Sequence, residues 1–170
     1  MSTGRHLLLI GEMGSGKTTI GEAVAERLGL PLLDSDRVLE QRTGETGSSI
    51  ADRDGVDRLH ELELEIFLDM VAADQDSVIA PASSVIDSER ARKLIADHYA
   101  VWIDADDEVL VERHRRGSHR RLVHPVERRR LRETRGRHYC QLSHDRVDTG
   151  RQSVEESVDQ VIRSLDARAG

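Results

Sequence analysis

A glycine-rich segment directly after the first apolar run constrains the fold more than any other feature of the chain. The run Arg5–Ile10 (RHLLLI) predicts a buried strand, and residues 11–18 (GEMGSGKT) match the pattern G-x-x-x-x-G-K-[ST]. The stretch Thr18–Leu28 predicts a helix that ends at Gly29. A strand, a glycine-rich turn and a helix in this order form a loop whose backbone N–H groups can bind phosphates. A plain glycine turn between strand and helix is the alternative.

Lys17 and Thr18 carry the chemistry of this loop. The Lys17 ammonium would reach the β- and γ-phosphates of ATP, while the Thr18 hydroxyl would bind a Mg²⁺ ion that bridges phosphate oxygens. Lysine is rare here, since of 25 basic residues only Lys17 and Lys93 are lysine. The loop therefore predicts a site for ATP and Mg²⁺. The predicted nucleotide-binding residues are Gly11, Gly14, Ser15, Gly16, Lys17, Thr18 and Thr19.

Two carboxylates follow the second predicted strand, Pro31–Leu33. Asp34 and Asp36 flank Ser35, and a parallel sheet places ligands beyond the carboxyl ends of its strands. We assign Asp34 to catalysis as a ligand of Mg²⁺, through water, and Asp36 to the hydroxyl of a small hydroxylated substrate. The alternative is that this segment only caps the helix predicted at Arg37–Thr43.

Strands and helices alternate along the rest of the chain, which indicates a parallel sheet with helices on its faces. Along Gly55–Ala73 apolar residues recur at intervals of three and four, the pattern of a long, half-buried helix. The other predicted elements are strands at Ser77–Ala80, Tyr99–Asp104 and Arg146–Asp148, helices near Glu89–Asp97 and at Asp106–Arg116, Val126–His144 and Val154–Leu165, and a loop at Gly117–Pro125.

Length, charge and cysteine content exclude several kinds of protein. The 170 residues suit one domain, and the first apolar run is far shorter than the ~20 residues that span a bilayer. A net charge of -7 argues against general nucleic-acid binding. Cys140 is the single cysteine, so no disulfide can form within the chain, which fits a reducing compartment. We therefore expect a folded, cytoplasmic monomer without membrane contact.

An arginine-rich stretch, Arg113–Arg137, surrounds the predicted loop at Gly117–Pro125 and contains 11 arginines. This composition is expected of a lid that brings cations onto the transferring phosphate. We assign Arg120 as the catalytic cation, with Arg121 as the alternative, because a guanidinium group binds phosphate oxygens bidentately. RNA binding is the rival interpretation of the stretch.

At these positions the sequence resembles the shikimate kinase family of small P-loop kinases, over nearly the whole chain. GEMGSGKTTIG corresponds to the family's phosphate loop, LLDSD to its D-x-D after the second strand and EQRTG to the helix that follows. RRLV from Arg120 resembles the lid motif R-P-L-L, without its proline. TRGRHY resembles the R-x-P-x-Y block, with Arg135 at the family's substrate-carboxylate arginine and Tyr139 at its tyrosine.

The resemblance implies a three-layer α/β P-loop NTPase fold with a five-stranded parallel sheet. It also implies one kinase domain over residues 1–170, with a helical substrate-binding region at about 35–65 and a lid at about 117–125. The implied reaction is transfer of the ATP γ-phosphoryl group to a hydroxyl, with shikimate as the first candidate acceptor.

Two departures from the family pattern lie where the acceptor would bind. The family's G-G-G turn is replaced by Ala82, Ser83 and Ser84, which add side chains where backbone normally approaches the substrate. The pattern G-E-x-x-F-R-x-x-E aligns on Gly55–Glu63 and puts His60 at the second carboxylate-binding arginine, so the clamp is weakened. A histidine on a solvated helix face is the alternative for His60. The predicted substrate residues are Asp36, His60, Ser83 and Arg135.

Three functions stay open on these grounds. The first is a shikimate-kinase-like activity with an altered acceptor pocket. The second is another P-loop small-molecule kinase, gluconate-kinase-like or nucleoside-monophosphate-kinase-like. The third is a non-catalytic nucleotide-binding regulator that binds RNA through its arginines, against which the intact Lys17, Thr18 and paired aspartates count.

Overall fold

Strands and helices alternate in a computed structural model that describes residues 6–117 and 124–169. The strands are β1 (Leu7–Ile10), β2 (Leu32–Asp34), β3 (Val78–Ala80), β4 (Tyr99–Asp104) and β5 (Asp145–Asp148). The helices are α1 (Lys17–Leu28), α2 (Ser35–Thr43), α3 (Gly47–Asp54), α4 (Val56–Val71), α5 (Glu89–Ala96), α6 (Asp107–Arg116), α7 (Pro125–Leu142) and α8 (Val154–Ala169), with a 3-10 helix at Ser83–Asp87. No helix within these ranges has the length and apolar character needed to cross a membrane.

The strands form one parallel five-stranded sheet in the order β2-β3-β1-β4-β5. Leu7 of the central strand β1 pairs with Val78 on one side and with Tyr99 on the other. Because all strands run in the same direction, their carboxyl ends share one edge of the sheet. At this edge the glycine-rich loop follows β1, Asp34 ends β2, and the 3-10 helix begins shortly after β3.

Helices cover both faces of the sheet, so the fold has three layers. Leu7 and Leu9 pack in one buried cluster with residues of α1 and α8. Leu8 and Ile10 point to the opposite face and pack with residues of α4, α5 and α7. This alternation explains why β1 is apolar throughout, since a strand covered on both faces has no solvent side. The predicted α/β class and five-stranded parallel sheet are confirmed.

Helix boundaries differ from the predicted ones where a capping side chain decides them. The helix predicted to start at Arg37 begins at Ser35, because Asp34 is its N-cap residue. The sequence prediction also missed α3, whose N-cap residue Thr46 accepts a hydrogen bond from the N–H of Ser49 at 3.2 Å. This helix of eight residues is short and largely polar, so its apolar period is weak.

Candidate active site

The loop after β1 leaves the N-terminus of α1 open to an anion. Gly16 is the N-cap residue, with a φ of 105°, and no side chain caps the helix. The first N–H groups of α1 therefore keep the capacity to bind phosphate oxygens. A Cβ atom at Gly11 would lie 2.1 Å from the backbone oxygen of Ile103, so the loop can pass this close to β4 only with glycine.

Lys17 folds back over this loop. Its Nζ donates hydrogen bonds to the backbone oxygens of Gly11 at 2.7 Å and Glu12 at 2.8 Å. These contacts hold the ammonium group at the mouth of the loop, beside the open N–H groups of α1. A positive charge in this position would meet the phosphates of a nucleotide bound there.

Thr18 joins the loop to the second strand. Its Oγ1 donates a hydrogen bond of 2.6 Å to Oδ2 of Asp34, which is only 5% exposed. Oδ1 of the same carboxylate caps α2 by accepting from the N–H of Asp36 at 3.1 Å and of Arg37 at 3.2 Å. Asp34 therefore caps the helix with one oxygen and faces the phosphate loop with the other.

The Thr18 hydroxyl and the Asp34 carboxylate are hard oxygen donors, which fit Mg²⁺. Across residues 6–117 and 124–169, no group of three or more His, Cys, Asp or Glu could hold a metal ion by itself. Mg²⁺ in nucleotide sites keeps several waters and takes phosphate oxygens as ligands, so one or two protein oxygens are enough. The donor set present is therefore compatible with a Mg²⁺ ion that arrives with the nucleotide.

A cavity of ≈ 460 Å³ lies beside the phosphate loop, lined in part by Gly14, Gly16 and Thr19. Arg113 of α6 lines its other side and donates to the backbone oxygens of Gly14 at 3.1 Å and Thr149 at 2.8 Å. Arg113 thereby ties the loop to the segment after β5. The predicted site residues include neither Arg113 nor Thr149. Nothing in the sequence separates Arg113 from the other arginines of its stretch.

Two predicted acceptor residues lie on α2 and α4. Asp36 is exposed in the first turn of α2, and His60 is half-buried on α4. Arg58 is exposed and its Nη1 donates to Glu61 at 2.9 Å. Glu63, one turn after His60, accepts a hydrogen bond from Ser84 and lies close enough to Asp36 for the two charges to interact.

Arg135 of α7 is buried and bound to Asp87 in a bidentate ion pair. Its Nε donates to Oδ1 of Asp87 at 3.0 Å and its Nη2 to Oδ2 at 2.7 Å. Its Nη1 reaches Oγ of Ser83 at 3.5 Å. Burial by itself lowers the pKa of Arg135, but the hydrogen bonds to Asp87 together with the charges of Asp87 and other acidic groups outweigh it and raise the pKa above its ordinary value. Asp87 was not among the predicted site residues.

A small cavity of ≈ 90 Å³ opens between the phosphate loop and α7, lined by Glu12, Ser83 and Arg135 together with apolar side chains such as Met13 and Leu131. Burial raises the pKa of Glu12, although Arg132 lies 3.8 Å away. The structure thus brings Ser83 and Arg135, two of the predicted substrate residues, together at one cavity next to the loop.

The sequence and fold were compared with known proteins. Residues 13–166 match the family model described as shikimate kinase. The chain belongs to the shikimate kinase family. A shikimate kinase from Symbiobacterium thermophilum is 33% identical over 169 residues, which cover 96% of this chain and 97% of that protein. The chain is therefore an ATP-dependent small-molecule kinase.

Solved shikimate kinases share the whole fold. A shikimate kinase from Acinetobacter baumannii in complex with shikimate superposes with a TM-score of 0.88 at 25% identity, over 98% of this chain and 96% of that one. The shikimate kinase from Aquifex aeolicus gives a TM-score of 0.82 at 28% identity, over 96% and 98% of the two chains. The assignment to a small-molecule kinase thus rests on sequence and on structure.

Part of the predicted site lies outside the described residues. Arg120, Arg121 and the lid motif that resembles the R-P-L-L block of shikimate kinases fall between residues 117 and 124. Helix α6 ends at Arg116 before this gap and α7 begins at Pro125 after it. The catalytic role assigned to Arg120 therefore stays a prediction.

The stability of this shikimate kinase homologue is expected to depend on the protonation of Glu63. Burial raises the pKa of Glu63 to about 7, against the opposing effects of Ser84, Arg135 and Lys17. The folded state keeps this proton up to higher pH than the unfolded state, whose pKa is near 4.5, so the free energy of unfolding falls as pH rises between these values. We expect Glu63→Gln to increase the free energy of unfolding relative to the wild type. This increase, measured by urea unfolding, should be about 1–3 kcal/mol larger at about pH 8 than at about pH 5.

The matched control is Glu65→Gln, which makes the same change at an exposed position of the same helix. It should shift the free energy of unfolding equally at both pH values. Parallel behaviour of the two variants would show that burial of the Glu63 carboxyl does not affect folding.

Proposed function

We propose that this kinase transfers the γ-phosphoryl group of Mg·ATP to a hydroxyl of a small polyhydroxylated acceptor, with shikimate as the first candidate. The observation that carries the proposal is the 2.6 Å hydrogen bond between Thr18 and Asp34. This contact joins the nucleotide loop to the strand end that precedes Asp36, so phosphate and acceptor would meet at one edge of the sheet.

Each residue has a role in positioning or in charge stabilisation, and none needs to form a covalent intermediate. Lys17 would bind the β- and γ-phosphates, and Asp34 would hold the water shell of Mg²⁺. The metal, bound beside Thr18, would neutralise charge on the phosphate oxygens. Asp36 would accept a hydrogen bond from the attacking hydroxyl and direct it at the γ-phosphorus. Arg120 would bring a further cation onto the transferring group.

The acceptor would lie among residues of about 35–65, the 3-10 helix and α7. Ser83 and Arg135 line the small cavity beside the phosphate loop, and His60 lies on α4 one turn before Glu63. The likeness to a shikimate kinase solved with shikimate favours a cyclic hydroxylated acceptor. The side chains of Ala82, Ser83 and Ser84 at the family's glycine turn favour a reshaped pocket.

Coupled ADP release tests the proposal. Purified protein is assayed with Mg·ATP, with and without shikimate and then with a panel of other polyols and hydroxy acids. Shikimate-dependent ADP release would support the first candidate, whereas release with a different polyol would keep the reaction and change the acceptor. Tight ATP binding with background turnover for every acceptor would contradict phosphoryl transfer and favour the non-catalytic regulator.

A further inference from the structure

The ion pair between Arg135 and Asp87 occupies one edge of the guanidinium group at which a ligand carboxylate could bind. Nε and Nη2 form one of the two edges that bind a carboxylate with two parallel hydrogen bonds, and both already donate to Asp87. Arg135 is buried, with 8% of its side chain exposed, while the Asp87 side chain is 43% exposed. The half-exposed carboxylate of Asp87 thus occupies one edge of a buried guanidinium group.

Other carboxylates lie near this ion pair. Glu12 and Glu63 are both close enough to Arg135 for its charge to act on their pKa values, and Asp36 acts in turn on Glu63. Position 60, where a second arginine would attract an anion, carries a histidine. Asp87, Glu12 and Glu63 thus place three carboxylates near Arg135, while Arg128 is a second arginine in the lining of the small cavity.

These carboxylates are, by contrast, suited to an acceptor rich in hydroxyl groups. A carboxylate accepts hydrogen bonds from hydroxyls without the repulsion that a second carboxylate would meet. The hydroxyl of Ser83 lies at the same cavity and can donate or accept. Hydrogen-bonding capacity for a neutral polyol is therefore present on the phosphate-loop side, on the 3-10 helix and on α4.

We infer that Asp87 acts as an internal carboxylate that fills the anion site of Arg135, so that the preferred acceptor is an uncharged cyclic polyol rather than a hydroxy acid. The inference rests on the proposed function and identifies Asp87 as the residue that determines specificity. Its 3-10 helix includes Ser83 and Ser84 of the segment that replaces the family's glycine turn, so the turn and the ion pair are parts of one local change.

Equilibrium binding to a matched pair of compounds tests the inference. The pair is shikimate and the neutral alcohol in which a hydroxymethyl group replaces its carboxylate. Binding of each to the protein with Mg·ADP is measured by calorimetry for the wild type, Asp87→Asn and Asp87→Ala. We expect the wild type to prefer the alcohol and Asp87→Ala to shift the ratio of dissociation constants towards shikimate by about 10- to 100-fold. Asp87→Asn, which keeps the shape of the side chain, should shift it in the same direction.

The control variant is Asp76→Asn, which makes the same charge change at an exposed residue before β3, at the opposite edge of the sheet. It should leave the ratio unchanged. The inference is overturned if the wild type binds shikimate at least as well as the alcohol, if Asp87→Ala leaves the ratio where it was, or if no variant binds either compound. Turnover is measured separately, because binding of the alcohol without ADP release would contradict the proposed reaction and not the role of Asp87.

Discussion

Replacement of Lys17 by alanine is expected to lower acceptor-dependent ADP release by about 10²–10³-fold or more while the protein stays folded. The Lys17 ammonium is held at the mouth of the phosphate loop by the backbone oxygens of Gly11 and Glu12. Its loss removes a fixed positive charge from the place where charge develops during transfer. The measurement is kcat/KM for ADP release, with circular dichroism and urea unfolding to establish that the variant is folded.

The chain offers a matched control for this variant, because it contains only one other lysine. Lys93 is exposed on α5 and pairs with Glu89 at 2.8 Å. Lys93 lies outside the phosphate loop, and a solvent-exposed ion pair of this kind contributes little to stability. Lys93→Ala should therefore stay folded and retain wild-type turnover. Equal turnover of the Lys17 and Lys93 variants would mean that the loop does not bind the transferring phosphate.

The second large effect is expected for Asp34→Asn, which separates two roles of this carboxylate. Asparagine caps helices about as well as aspartate, so the hydrogen bonds from Asp36 and Arg37 can persist and stability should change by less than about 1 kcal/mol. The negative charge towards Thr18 is lost, however. We expect turnover to fall by about 10²-fold or more and the Mg²⁺ concentration needed for half-maximal turnover to rise.

Asp57→Asn is a suitable control, because Asp57 is exposed in the first turn of a neighbouring helix and undergoes the same charge change. It should leave both turnover and the Mg²⁺ requirement unchanged. Full activity of Asp34→Asn at ordinary Mg²⁺ concentrations would mean that Asp34 only caps α2. It would contradict the assignment of Asp34 to Mg²⁺.

Local sequence patterns together with the resemblance to the shikimate kinase family were enough to predict the α/β fold and its five-stranded parallel sheet. The apolar residues of β1 and the glycines that follow it determine a strand, a turn and a helix within a few residues of each other. Asp34 could be placed beside the loop because parallel strands end at one edge of the sheet. The predicted start of α2 was two residues too late, because Asp34 is the N-cap residue of this helix.

The acceptor end could not be predicted to the same depth, because its contacts join distant parts of the chain. Arg135 was assigned to the substrate, but its partner Asp87 lies 48 residues away and belongs to no motif. The contact between Arg113 and Gly14 spans 99 residues. Such pairs depend on how α6, α7 and the 3-10 helix pack on the sheet, and the resemblance to the family supplied no position for Asp87.

The most direct test of phosphoryl transfer is phosphorus NMR of a reaction that contains the protein, Mg·ATP and either shikimate or its neutral alcohol. We expect a phosphomonoester of an acceptor, formed in an amount equal to the ADP produced and absent with Lys17→Ala. ADP accompanied only by inorganic phosphate, or unchanged ATP with every acceptor although ATP is bound, would contradict it.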